Sequence, residues 1–454
     1  MFTRRGLGLV ALGVAGAAAG AAAQTSAPST RAGEAQALRA RAETTHPRGR
    51  EAAADADWRA RWDSLAAEAD HLSDGAYFHR TRQALAWFKD GHTTLLPFEF
   101  TGGVPEQLAH GPFSLSLPIA VRVFHDGAFV ISAKDEGGAL AGAQITRVGA
   151  MTCIELMRAW ARQWPGNDAW AHRWAGLIFS PAFLEALGAV RDPEAPVMIE
   201  ALRNGRTLRA VLRPRRDAST EMAPLTRTKT DPEIWSEAAG ASASGNYVRG
   251  VGEAIYVSCD DLSVEIDAFG AFTRACFTAL ADAAPKRLIV DLRRNGGGNN
   301  YLFEALRKHI ERSRFNRPGG LYVMISPRTF SAAQNATNRL ERETFALFVG
   351  EPSGGAPNHY GDGAVATGAA TGVTSLISTL AWFDSYPQDR RAWTMPDLFS
   401  PQLFADWRDG HDRGLELALT DPTNAPADEW SEANTFYFSR PSQAQDWRPF
   451  WRAA

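Results

Sequence analysis

Lys286-Arg-Leu-Ile-Val-Asp-Leu-Arg-Arg-Asn-Gly-Gly-Gly-Asn299, followed by Gly320-Leu-Tyr-Val-Met-Ile-Ser-Pro-Arg-Thr-Phe-Ser-Ala-Ala-Gln334, reads as two strand-turn-helix units side by side. In the first, Leu288 to Leu292 is a short apolar run closed by Gly296, Gly297 and Gly298, and Tyr301 to Ile310 has helical spacing. In the second, Leu321 to Ile325 is a strand of the buried type. Ser331 then opens a helix, with Phe330, Ala333, Ala336 and Leu340 on one face. A strand over Ala254 to Cys259 and an amphipathic helix over Ile266 to Ala283 precede these units, and Ala346 to Val349 adds a third short strand after them. Strand alternating with helix predicts an α/β core.

Working outward, Trp58 to Lys89 carries apolar residues at helical spacing (Trp58, Trp62, Leu65, then Phe78, Leu85, Phe88), which predicts two helices forming a cap. Between Phe113 and Pro214 the pattern turns β-rich, with strands expected over Leu117 to Phe124, Ala128 to Ser132, Gln144 to Val148, Val197 to Leu202 and Thr207 to Leu212. A helical insertion from Ile154 to Leu187 interrupts them. Its Trp160, Trp164, Trp170 and Trp174 suit either core or a substrate wall. After the core, Ala364 to Thr367 and Val373 to Leu380 read as strands and Leu415 to Leu419 as a last helix. The expected division is a signal peptide over 1–23, a flexible tether over 24–52 and the helical cap over 53–110. A β-rich domain over 111–216, a linker over 217–245, the α/β domain over 246–420 and a tail over 421–454 complete it.

The chain of 454 residues has a net charge of -3, so nothing in its composition points to nucleic acid or to an anionic membrane as partner. Thr3-Arg4-Arg5 running into an apolar, Ala-rich stretch that ends at Gln24 reads as a signal peptide of the twin-arginine kind, or as an ordinary secretory signal with two n-region arginines. Export to the periplasm or the extracellular space follows. No later apolar run approaches about 18 residues, the length a membrane span needs. Cys153, Cys259 and Cys276 do not have zinc-site spacing. They read as buried thiols, with a Cys259–Cys276 bridge as the alternative.

A serine where a strand hands over to a helix suits acyl transfer, because backbone N–H groups at the helix start and in a glycine turn can hold an oxyanion. Ser331-Ala-Ala-Gln334 also fits a capping box. At Asp90-Gly-His-Thr-Thr-Leu95, Asp291-Leu-Arg-Arg-Asn-Gly-Gly-Gly298, Phe330-Ser-Ala-Ala-Gln334 and Val349-Gly-Glu-Pro-Ser-Gly-Gly355, the chain resembles the C-terminal processing (tail-specific) serine peptidase family, in its tricorn-type and retinoid-binding-protein-like branch. The resemblance implies a Clp protease/crotonase-like α/β core. Gly138 to Gly149 is likewise similar to the signature segment of a PDZ domain, and the alternative is a β module that only props the core.

The resemblance further implies Ser331 as nucleophile and His92 as general base. The oxyanion hole would be built from the N–H of Ala332 and of Gly297 or Gly298. No lysine follows Lys308, so a Ser-Lys dyad has no base after the serine; His359 is the second histidine to consider. Gly91 stands where tricorn-type members have a serine, which leaves open what orients the imidazole. The carboxylate that steadies the histidine is implied at Asp389, a few residues before Pro396-Asp397, with Asp362, Glu351 and Asp90 as competitors. Asp389 could instead pair with Arg390 or Arg391. The expected activity is peptide-bond hydrolysis through an acyl-enzyme, on a peptide or protein substrate, with no metal and no cofactor. A non-catalytic ligand-binding relative, or an esterase or thioesterase, is the alternative.

Overall fold

Successive residues of a strand face opposite sides of its sheet, and Leu288-Ile-Val290 and Leu321 to Ile325 are apolar on both sides, as a sheet covered on two faces requires. The computed structural model describes residues 30–97, 111–216, 223–224, 245–421 and 450–453. In it these runs lie in a six-stranded sheet whose order is Leu398–Phe399, Leu347–Gly350, Leu321–Ile325, Arg287–Asp291, Ala254–Ser258, Tyr247–Val251. All neighbours are parallel except Tyr247–Val251, which closes the edge antiparallel. Ile255, Val257, Leu288, Val290, Val323 and Ile325 are buried with apolar residues of the helices Ile266–Leu280, Glu304–Glu311 and Ala332–Glu343. On the other face Tyr256, Ile289, Tyr322 and Met324 pack with Leu415 and Ala418 of the helix Arg413–Thr420.

The β-rich region is an antiparallel sheet in the order Ile119–Phe124, Gly127–Ala133, Gln144–Val148, Val197–Arg203, Arg206–Leu212, close to the expected strands. The insertion folds as Cys153–Gln163, Asp168–Trp174 and Pro181–Ala186, the first helix opened by a capping box between Thr152 and Glu155. Trp160, Trp164, Trp170 and Trp174 are all core. The cap is built from Ala56–Glu68 and Asp74–Leu85, as the spacing predicts.

Three expectations need correction. The tether expected over 24–52 is helical from Arg31–Thr45 and again over Gly49–Ala54. Its buried face is mostly alanine, with Ala35, Leu38 and Ala42 inside, and the Glu34 carboxylate accepts from the N–H groups of Ala370 and Thr371 and from the Thr371 hydroxyl. Alanine hides an amphipathic pattern, and the partners lie far along the chain. The strand expected over Val373 to Leu380 is two strands in different sheets. Thr374–Ile377 pairs with Thr94–Leu96 and Ala364–Thr367, and Leu380–Phe383 pairs with Asn358–Gly361. The break falls at Ser378, whose N–H and hydroxyl are drawn to Thr93 and Asp90. The helix expected from Tyr301 starts at Glu304, and Tyr301 is left exposed.

Cys153, Cys259 and Cys276 are free and buried. Among the described residues no helix is long and apolar enough to cross a membrane. The expected signal peptide and nearly all of the linker lie outside the described residues, as does most of the tail. From the tail, Trp451 is buried and its carbonyl accepts from Arg158 Nε at 2.8 Å.

Candidate active site

The loop between Leu321–Ile325 and Ala332–Glu343 is tied down before it reaches the serine. Thr329 Oγ1 donates to Leu292 O (2.9 Å), Ser326 Oγ donates to Arg293 O (2.5 Å), and Phe330 N–H donates to Asn295 O (3.2 Å). Ser331 then adopts φ 54° and ψ -125°, outside the regions open to an L-residue, at a cost of about 1–3 kcal/mol. Its hydroxyl caps nothing. The capping-box reading therefore fails, and Gln334 is occupied elsewhere: its Nε2 donates to Asn338 Oδ1 and Thr394 Oγ1.

The glycine run lies directly against the serine. A Cβ on Gly297, at φ 112°, would sit 2.5 Å from Ser331 Cβ and 3.0 Å from Ala332 N. Gly298, at φ 131°, is pressed as closely on Leu262, where a Cβ would meet carbonyl carbon at 2.2 Å. Asn295 shapes this turn from within the core. It accepts Gly297 N–H at Oδ1 (2.9 Å) and donates through Nδ2 to Cys259 O (2.8 Å). Gly297 N–H is thus committed. Gly298 N–H donates to no group among the described residues, and Ala332, first in its helix, has no intrahelical acceptor. Asn295 carried no sequence signal beyond its place before three glycines. Gly297→Ala is expected to leave the protein folded but to lower activity at least about 100-fold by displacing Ser331, as parallel turnover and circular-dichroism measurements would show.

His92 comes from the cap. Lys89, at φ 52°, turns the chain out of the helical segment Ala86–Phe88, and Asp90 Oδ1 accepts the His92 N–H at 3.0 Å. The strand that follows, Thr94–Leu96, is held by Arg82. This buried guanidinium donates to Leu95 O at 2.9 Å and lies over the rings of Trp164 and Phe78 at 4.3 and 4.6 Å. Burial pulls its pKa down to about 9. The His92 ring stacks on Phe330, the residue before the serine, with centroids 4.3 Å apart. Trp170 of the insertion covers the other face of Phe330 at 3.7 Å, and His359 lies 5.7 Å beyond His92. Four rings, Trp170, Phe330, His92 and His359, form one stack beside Ser331.

That stack also accounts for Gly91. A Cβ there would meet the Phe330 ring at 2.8 Å and Trp170 at 3.0 Å, so any larger residue would have to push the two rings apart. Gly91→Ser is expected to cost about 1–3 kcal/mol, measurable as a lowered urea midpoint.

Both ring nitrogens of His92 lack a hydrogen-bond partner although the residue is buried. Such a group is costly unless something else engages it. The nearest carboxylate is Asp90, with Oδ1 3.7 Å from His92 Nδ1. Asp90 Oδ2 accepts from the hydroxyls of Thr93 and Ser378, each at 2.6 Å. Burial by itself would raise its pKa, but the His46 and His92 imidazoles beside it outweigh that and hold it well below the usual carboxylate range.

The other carboxylates have other partners. Asp389 accepts from the Ser385 hydroxyl (2.7 Å) and from Arg391 Nη2 (2.8 Å), and Arg391 continues to Glu341. Burial opposes the charge on Asp389, yet Arg391 and Ser385 lower its pKa. Asp362 accepts the Trp382 indole N–H at 2.5 Å. Glu351 is buried, which pushes its pKa up to about 7. His359 is pulled down to about 4, first by burial and then by His92, and its Nδ1 lies 3.0 Å from Ala356 O.

No family model matches the chain, and no curated protein matches it in sequence. Solved structures do match. Mature CPAF aligns with a TM-score of 0.55 at 13% identity, over 84% of this chain and 94% of that one. A CPAF mutant aligns with a TM-score of 0.57 at 11% identity, over 87% of this chain and 99% of that one. Mature CPAF complexed with lactacystin aligns with a TM-score of 0.53 at 12% identity, over 84% and 95%. Over most of its length, and with nearly all of the other chain accounted for, the protein shares the fold of mature CPAF.

Proposed function

We propose that the protein is a serine peptidase of the tail-specific type, exported, hydrolysing peptide bonds through an acyl-enzyme. The observation that carries this reading is Ser331. It is held at a positive φ between a strand and a helix, with its hydroxyl uncommitted and a glycine turn against its Cβ. A serine needed only as a helix cap would adopt extended backbone and use its oxygen.

In this reading Ser331 Oγ attacks the scissile carbonyl while His92 Nε2 takes the hydroxyl proton. The N–H groups of Ala332 and Gly298 receive the oxyanion. His92 returns the proton to the leaving amine, and water, deprotonated by His92 in turn, releases the acid product and restores Ser331. Asp90 is the carboxylate that orients His92 and stabilises its imidazolium. Asp389, bound to Arg391 and Ser385, stiffens the frame that carries Asn358 and His359, since its backbone carbonyl accepts from Asn358 Nδ2 at 3.3 Å. His92 Nε2 makes no hydrogen bond and so has its acceptor lone pair available for the Ser331 proton.

The finer fold reading rests on the same elements. A mostly parallel sheet with a glycine turn and a serine at the next strand end supports a Clp protease/crotonase-like core. The antiparallel sheet with its closing Val197–Arg203 and Arg206–Leu212 hairpin supports a PDZ-like module, and Thr3-Arg4-Arg5 supports export. The test is turnover of a mixed peptide set and of simple esters by the mature protein and by Ser331→Ala and His92→Ala. Each variant is expected to lose about 10³-fold or more on peptides. Peptide hydrolysis that survives in Ser331→Ala would overturn the proposal, and turnover of esters alone would make the protein an esterase.

A further inference from the structure

We infer that His46 is a positioning residue of the catalytic centre, supplied by the N-terminal helical segment and acting through Asp90; this rests on the serine-hydrolase reading above. His46 follows the helix Arg31–Thr45, and its side chain is fully buried. Its Nε2 is buried without a hydrogen-bond partner and faces Asp90 Oδ2 at 3.5 Å, while the His92 contact is made by the other oxygen, Oδ1, at 3.7 Å. One aspartate thus stands between two imidazoles.

The tautomer of His46 follows from its other nitrogen. Nδ1 is 3.0 Å from the Arg48 N–H, a group that can only donate, so Nδ1 accepts and the ring proton of neutral His46 is on Nε2, facing Asp90. The ring plane is fixed as well. It stacks on Phe88 at 3.9 Å and meets Tyr360 at 4.8 Å, and Tyr360 neighbours His359 in the strand Asn358–Gly361. Asp90 therefore accepts from the Thr93 hydroxyl and the His92 N–H of its own turn and from the Ser378 hydroxyl, and the His46 and His92 rings flank it at 3.5 and 3.7 Å without closing a hydrogen bond.

A carboxylate gripped in this way keeps one rotamer, with Oδ1 turned to His92 Nδ1. His92 is then held with Nδ1 protonated and Nε2 free to accept from Ser331. Removing His46 takes away the ring N–H that faces Oδ2 and leaves Asp90 to its bonds with the His92 N–H, Thr93 and Ser378, which loosens the carboxylate beside the base. The loss should appear in the chemical step and not in substrate binding, because His46 lies behind Asp90 and touches no group at the nucleophile.

The test is the kinetics of fluorophosphonate inactivation of the full mature chain, followed by intact mass, for wild type, His46→Phe, His46→Gln and Ser331→Ala, with thermal unfolding of each. Phenylalanine keeps the ring stack on Phe88 and loses the donor; glutamine keeps a donor and loses the ring. The expected result is a roughly tenfold lower limiting inactivation rate for His46→Phe at unchanged half-saturation, with most of the rate recovered in His46→Gln. Equal limiting rates for wild type and His46→Phe would overturn the role of His46 and leave Ser331 standing. Slowing of both variants in proportion to their loss of melting temperature would also overturn it, as a purely structural effect. A wild type that is not labelled would overturn the hydrolase reading and this inference together.

Discussion

Ser331→Ala is expected to abolish turnover, by about 10³-fold at least, while leaving the melting temperature within about 1 °C of wild type. The two halves of that result separate the nucleophile from the cap. A capping serine contributes about 1 kcal/mol, so its removal would lower the melting temperature by about 2–4 °C in a domain of this size. Here the hydroxyl makes no capping bond, so alanine loses none. Alanine does keep the strain, because φ 54° is as unfavourable for it as for serine. Ser331→Gly removes the strain and is expected to be equally inactive but more stable than wild type, by about 1 kcal/mol. Differential scanning calorimetry beside the activity assay reads both.

Asp90→Asn is expected to slow turnover by about 10⁴-fold, since an amide can present its N–H to His92 and force the wrong tautomer. It should also change the pH dependence of stability. The folded-state pKa of Asp90 is depressed, so its contribution is fully present above the unfolded carboxylate pKa of about 3.9 and is lost as pH falls below that value toward the folded one. Urea midpoints measured from pH 7 down to pH 3 should therefore fall less steeply for Asp90→Asn than for wild type. The variant starts lower, because the Thr93 and Ser378 hydroxyls and two histidines surround a group without charge. An acid limb identical to wild type would show that Asp90 is not the carboxylate these groups stabilise.

The central sheet was legible because its strands are short apolar runs punctuated by glycine, and the strand Leu321–Ile325 is found where the pattern places it. Ser331 and the glycine run were legible for the same reason. What the sequence concealed depends on contacts between distant segments. The Arg31–Thr45 helix buries alanines, which weigh little in any periodicity, and is pinned through Glu34 to Thr371. The resemblance put Asp389 first and left Asp90 a competitor beside Asp362 and Glu351; nothing local raised it, since the groups around its carboxylate include His46 and Ser378, far off in both directions. Trp170 has the same helical spacing as Trp160, Trp164 and Trp174 and is buried in the same core, and only the packing of the insertion on Phe330 shows that it also reaches the residue before Ser331. Gly91 was visible as a departure from the family pattern, but its reason, the Phe330 and Trp170 rings, was not.

The most direct measurement is intact mass of the mature protein after fluorophosphonate treatment, with peptide mapping of any adduct, on wild type and on Ser331→Ala. A single adduct mapped to Ser331 and missing from the variant is the predicted result. Well-folded wild type that gains no mass, or an adduct that persists in Ser331→Ala, would contradict the assignment of Ser331 as the nucleophile.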